Sequence, residues 1–136
     1  MKDESIEVIR SGNSREKAFI TIAVGKNYLN DWNNICRRNW SLYCKKYNID
    51  IILIKQPISS NDEKNHRTIH WDKLLIKRIP VCNEYEFVAW IDADIIINYK
   101  NAPDLFNSFD HSKIGAVSLM HDFPFDLKCA KKGLHI

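Results

Sequence analysis

Residues 87–98 read FVAWIDADIIIN. Apart from Asp92 and Asp94, with Ala93 between them, and the closing Asn98, the run is apolar, and it predicts a buried strand over 85–97. Successive strand side chains point to opposite faces, so residues two apart share a face, with Cβ atoms about 7 Å apart. Asp92 and Asp94 are therefore expected side by side on one face. A buried strand normally avoids aspartate, because an unpaired buried charge is costly. A divalent cation would offset both at once: hard cations take carboxylate oxygens, and a phosphate can fill the remaining positions. The structural alternative is a pair of strand-end carboxylates that cap helices or accept backbone amides.

The flanking sequence makes this strand the third of an alternating series. AFITIAV at 18–24 is a β-branched, apolar run closed by Gly25, and predicts a first strand. Residues 28–47 follow at helical spacing, with Leu29, Trp32, Ile35, Cys36, Tyr43 and Tyr47 on one broad face. IDIILI at 49–54 is a second strand, stopped before Pro57. Residues 59–67 are polar and read as a loop, and 68–79 predict a helix that stops at Pro80. Beyond the aspartates, 103–109 predicts a short helix with proline in its first turn, and 114–120 a fourth strand. Residues 1–17 lack periodicity and read as a flexible lead-in to one domain over 18–136. Strands alternating with helices predict an α/β fold, a mostly parallel sheet with helices on both faces. Ligands of such sheets bind outside the carboxyl ends of the strands, the edge where Gly25, Asp92 and Asp94 fall.

Composition sets wide bounds. The chain has 136 residues, 45% hydrophobic and 27% charged, with a net charge of +3. That is the profile of a single soluble domain. The modest positive charge is spread along the chain and reads as a solvated surface, so no nucleic-acid partner is expected. No apolar run approaches the roughly 20 residues needed to span a bilayer, and residues 1–17 are too polar for a signal peptide. The expected location is cytoplasmic, or a Golgi-type lumen if the chain is a piece of a longer protein. The four cysteines, Cys36, Cys44, Cys82 and Cys129, make no CxxC pair or zinc pattern. They read as reduced thiols in or near the core.

At these residues the chain resembles the N-terminal, nucleotide-binding part of glycosyltransferases of the GT-A fold, of the glycogenin-like and galactosyl/mannosyltransferase-like groups. ITIAVGKNYL at 20–29 resembles the family's opening strand and nucleoside-binding loop. Trp71-Asp72-Lys73-Leu74 resembles its helix with a donor-contacting lysine. Residues 88–98 resemble its DxD strand, and Ala102-Pro103-Asp104-Leu105-Phe106 the helix that follows. The likeness runs over 18–122, and its specific part is the DxD strand. It implies a Rossmann-like GT-A fold, a Mn²⁺ or Mg²⁺ ion, and a nucleoside diphosphate sugar donor, UDP-linked in preference to GDP-linked. The transfer implied is of a hexose to a glycan or other hydroxyl acceptor. On that analogy Asp94 coordinates the metal, and Asp92 contacts the ribose, the metal or both, with Ala93 at the same site. Ala23, Val24 and Gly25 approach the nucleoside through their backbone, Tyr28 stacks on the base, and Lys73 meets phosphate or sugar. A complete domain of this family continues past the fourth strand into an acceptor half, so the chain is expected to be a truncated one. The sequence names no catalytic base and no oligomeric state.

Two rival readings come from other classes. One is a non-catalytic nucleotide-sugar-binding fragment. The other is a phosphatase of the haloacid dehalogenase type, whose DxD supplies a nucleophile and a general acid; that signature belongs on a first strand and continues with Thr or Val, whereas Ile95-Ile96 follow here. Lys73 reads equally as a solvated helix lysine, and Tyr28 as a core aromatic. Trp71 and Trp90 read as core, and His70 as surface. His121 and Asp122 are candidates for the same sheet edge, while His66, His111 and His135 carry no signal.

Overall fold

The computed structural model describes residues 4–12, 14–59 and 69–115. Residues 116–120 of the expected fourth strand lie outside these limits, as do His66, His121, Asp122, Cys129 and His135 and the side chain of His70. Among the described residues, four strands form one mixed sheet: β1 (Ile6–Ile9), β2 (Lys17–Ile22), β3 (Ile49–Ile54) and β4 (Phe87–Trp90). Their order is β1-β3-β2-β4. β2 lies parallel to both β3 and β4, and β1 runs antiparallel to β3. The fold is α/β, with one antiparallel edge on a parallel centre.

That edge strand corrects the reading of residues 1–17 as a flexible lead-in. Four residues, IEVI, are too few for a periodic signal, and their order comes from a partner elsewhere in the chain. Ile6 pairs with Ile54 and Ile9 with Ile51. Polar contacts hold both ends: Glu7 meets Arg37, and Arg10 Nη1 lies 2.8 Å from Asp50 Oδ2.

Strand alternation fills both faces of the sheet. Phe19, Ile49, Ile51 and Leu53 point to one side, into a cluster with Trp32, Cys36, Trp40, Tyr43, Cys44 and Phe106. Ala18, Ile20, Ile52 and Ile54 point to the other, against Ile79, Cys82 and Tyr85. Every residue of β3 is buried, as expected of a central strand covered on both faces.

The first cover is one long helical stretch with a break in its winding. α1 (Lys26–Asp31) runs into a π turn at Trp32–Cys36 and then into α2 (Arg37–Tyr47). Asn48, at φ 55°, ends it in the left-handed conformation, which asparagine tolerates better than most residues. Trp32, Cys36, Trp40, Tyr43 and Cys44 are buried. Ile35, expected on the same face, lies within the π turn and is 60% exposed. The second cover, expected as an α-helix over 68–79, winds as a 3-10 helix at Ile69–Arg78, followed by another at Pro80–Glu84. The buried Asp72 carboxylate anchors it by accepting the Ile58 N–H at 2.8 Å. The short helix expected at 103–109 is a 3-10 turn, Phe106–Ser108.

β4 is much shorter than the strand expected over 85–97, and the reason lies in its neighbour. The β2–β4 ladder ends near Trp90, with a last bond from Ile91 N to Ile20 O at 3.0 Å. Past Ile22 the chain leans toward β3, where Ala23 N reaches Ile54 O at 2.9 Å. Among the described residues, those after Ile91 thus have no strand to pair with. They leave the sheet and run along α2, where Ile91, Ala93, Ile97 and Tyr99 pack on the first cluster.

Candidate functional site

The connection from β2 to β3 passes over one face of the sheet, and the connection from β3 to β4 over the other. The chains leaving the adjacent parallel strands β2 and β4 both run on to the first cover, and a crevice lies at the carboxyl ends of these two strands; in open α/β sheets ligands bind outside that edge. A cleft of about 530 Å³ occupies that position, within the range of small-molecule sites. Ile22, Val24 and Tyr28 come to it from the end of β2, and Trp90, Asp92, Ala93, Asp94 and Ile96 from the end of β4. The first cover adds Asp31, Trp32, Ile35 and Cys36, and the second adds Ile69 and Lys73.

Six of the eight residues singled out in the sequence thus meet around one cavity: Val24, Tyr28, Lys73, Asp92, Ala93 and Asp94. The other two sit just outside it. Ala23 is buried in the first cluster, with its N–H committed to Ile54, so no nucleoside contact through that amide fits the structure. Gly25 has φ 90° and ψ 150°, and a Cβ built there would meet nothing within 4 Å. The turn into α1 therefore passes open space in a conformation that suits glycine. Tyr28 is 73% exposed and is not a core aromatic. Trp71, read as core, is exposed, and Trp90, also read as core, is half-buried on the cleft wall.

The aspartates need a correction of their own. They stand in a turn beyond β4, with Ile95 N bonded to Asp92 O at 3.2 Å, and both are exposed. The cost of burying two charges in a strand therefore does not arise. Their shared orientation survives by another route, since both line the cleft. Trp90 Nε1 donates to Asp92 Oδ1 at 2.8 Å, which fixes that carboxylate at the cleft wall. Cys36 lies beneath the turn, its Sγ donating to Ala93 O at 3.2 Å. Burial pushes the Cys36 thiol above its ordinary pKa, and the nearby Asp94 charge adds to this, so the thiol stays protonated and able to donate.

As a cation site the pair has a defined limit. Among the described residues, no cluster of three or more His, Cys, Asp or Glu side chains is placed to hold a metal ion. Two exposed carboxylates do not make an all-protein cage. They do suit an ion such as Mg²⁺, which keeps several waters and is held by one or two carboxylates together with substrate phosphates. The donor set fits a cation that arrives with, or is completed by, a phosphorylated ligand.

Sequence reading missed Asp31, which lies three residues after Tyr28 on the same helical face and could have been found by that spacing. The partly buried Ile22 and the exposed Ile35, Ile69 and Ile96 were missed as well, since an isoleucine leaves no signature of a cleft wall.

No family model matches the chain, and neither a curated protein nor a solved structure matches it.

Proposed function

We propose that this cleft binds a nucleoside diphosphate sugar together with a divalent cation, and that the chain is a metal-dependent glycosyltransferase of GT-A type, or the donor-binding part of one. The reaction is transfer of a hexose to a glycan or other hydroxyl acceptor. The observation that carries the reading is convergence. A phosphate-suited lysine, two carboxylates, an exposed tyrosine and an open glycine turn, drawn from distant parts of the sequence, come together at or beside one crevice between two parallel strands.

Each part has a physical task. Asp92 and Asp94 would hold Mn²⁺ or Mg²⁺, which when bound offsets the charge of a departing diphosphate. Lys73 offers a mobile ammonium to the phosphates. Tyr28, on the rim, presents its ring to a nucleobase, and the Val24–Gly25 turn lets the ligand approach the backbone closely. Ile22, Trp32 and Trp90 give the ligand an apolar wall to cover beside the charged groups.

Titration calorimetry with UDP, with and without Mn²⁺, tests the reading. Mn²⁺ should strengthen binding about tenfold or more, close to 1.4 kcal/mol, and Asp94→Ala should abolish the gain. Equal affinity with and without metal overturns the proposal. Release of the sugar from a UDP-hexose, to water or to an acceptor, separates an enzyme from a binding fragment.

A further inference from the structure

The segment that carries the carboxylates is held by a helix instead of by the sheet. Once the chain leaves β2 at Ile91, its carbonyls need other donors, because an unpaired buried backbone group is costly. The donors are side chains spaced along one side of the stretch from 36 to 47. Cys36 takes Ala93 O at 3.2 Å, Trp40 Nε1 takes Ile95 O at 2.8 Å, and Asn39 Nδ2 takes Ile97 O at 2.8 Å. Asn39 also accepts the Ile97 N–H at 2.8 Å through Oδ1, so its amide pairs with both backbone groups of that residue. Further on, Tyr47 OH donates to Ala102 O at 2.9 Å, and Tyr43 OH to Pro103 O at 2.7 Å. The side chains of α2 serve the departing chain as a neighbouring strand would.

We infer that Asn39 and Trp40 are positioning residues of the candidate site: they fix the depth and orientation of the Asp92–Asp94 turn, and through it the affinity for a cation-bound phosphate ligand. Neither lines the cleft. Trp40 is fully buried, with its ring against Phe19 and Trp32 at centroid distances of 6.0 Å, so its N–H is aimed rigidly. Asn39 clamps Ile97, three residues past Asp94, and Trp40 holds Ile95, the residue next to it. A bond at each position leaves the turn little freedom to swing. The consequence for ligand affinity rests on the function proposed above; the holding of the turn does not.

Two measurements on the full chain keep these apart, using Asn39→Leu and Trp40→Phe, which preserve most of the side-chain volume while removing the donors. Amide hydrogen exchange in the ligand-free protein reads the turn directly. Exchange over residues 91–98 should rise at least tenfold in either variant, with the amides of β2 and β3 unchanged. A uniform rise across the sheet, or none at 91–98, overturns the inference. Calorimetry with UDP then reads the ratio of affinity with Mn²⁺ to that without. That ratio should fall three- to tenfold in Asn39→Leu and Trp40→Phe. It should hold in Tyr47→Phe, which loses a bond of the same series far from the aspartates. A merely structural role lowers stability in all three variants and leaves the ratio alone, and that pattern also overturns the inference. If the wild-type protein shows no effect of Mn²⁺, the proposed donor site falls, and hydrogen exchange still decides whether α2 positions the turn.

Discussion

Gly25 shows how much a single residue can hold. At φ 90° and ψ 150° it occupies a region essentially closed to residues with a Cβ. A Cβ there would clash with nothing, so the cost of adding one is backbone strain alone. Gly25→Ala is expected to lower stability by about 1–3 kcal/mol in denaturant titration, and, if the turn relaxes, to move Tyr28 away from the cleft. The glycine was legible in sequence because it ends an apolar strand run, and the aspartates because charge stands out in FVAWIDADIIIN. What the sequence concealed was their exposure. An apolar neighbourhood reads as burial, yet Ile95 and Ile96 flank the turn at 47% and 57% exposed. Asn39 was equally hidden: a polar residue on a helix looks solvated until the segment it clamps is known.

Elements were legible where their neighbours are local and obscure where they are not. The second strand of the sequence reading, 49–54, matches β3 to the residue, because a run buried on both faces carries its own signal. β4 was overextended by seven residues at its carboxyl end, since strand length depends on a partner and β2 turns away at Ile22. β1 went unseen for the same reason: it is ordered by β3, forty residues later. The helical stretch was found, but its π turn was not, because a single added residue leaves the average spacing nearly intact. α2 then gives a direct test of its role as a support. Tyr43 OH donates to Pro103 O and accepts the Leu105 N–H at 2.9 Å, while its ring stacks on Phe19 at 5.7 Å. Tyr43→Phe keeps the ring and leaves two backbone groups unsatisfied. It is expected to cost about 1–3 kcal/mol in thermal or chemical unfolding, with little change in the far-UV spectrum.

For the whole molecule, the sheet's two covers make an alkaline prediction. Burial pushes the Cys44 thiol, under the first cover, up to about 12 and the Cys82 thiol, under the second, up to about 11, both from 9.0. Folding favours the neutral thiol, so this contribution to stability is complete below pH 9 and is lost as pH rises through 11–12. Unfolding free energy measured from pH 7 to 11 should hold to about pH 9 and then fall. Cys82→Ala, although less stable at neutral pH, should fall less steeply. The general plan, an α/β sheet with a cleft at its carboxyl edge, was legible because alternation of strand and helix fixes that edge; the antiparallel border and the departure of the aspartates from the sheet depend on contacts that no local pattern records. Among the described residues, those contacts also leave the two edges of the sheet electrically unlike. At the amino edge, Asp50 and Asp104 are matched by Arg10 and Lys17. At the carboxyl edge, Asp31, Asp92 and Asp94 share the cleft with Lys73, the one basic side chain among the described residues that line it, and among the described residues none of the three forms an ion pair. The described lining of the cleft is therefore negative in a chain whose net charge is +3. Its pull reaches about 8 Å into solvent at physiological ionic strength, so added salt should weaken capture of a cation there while leaving the sheltered pairs that hold the other edge together.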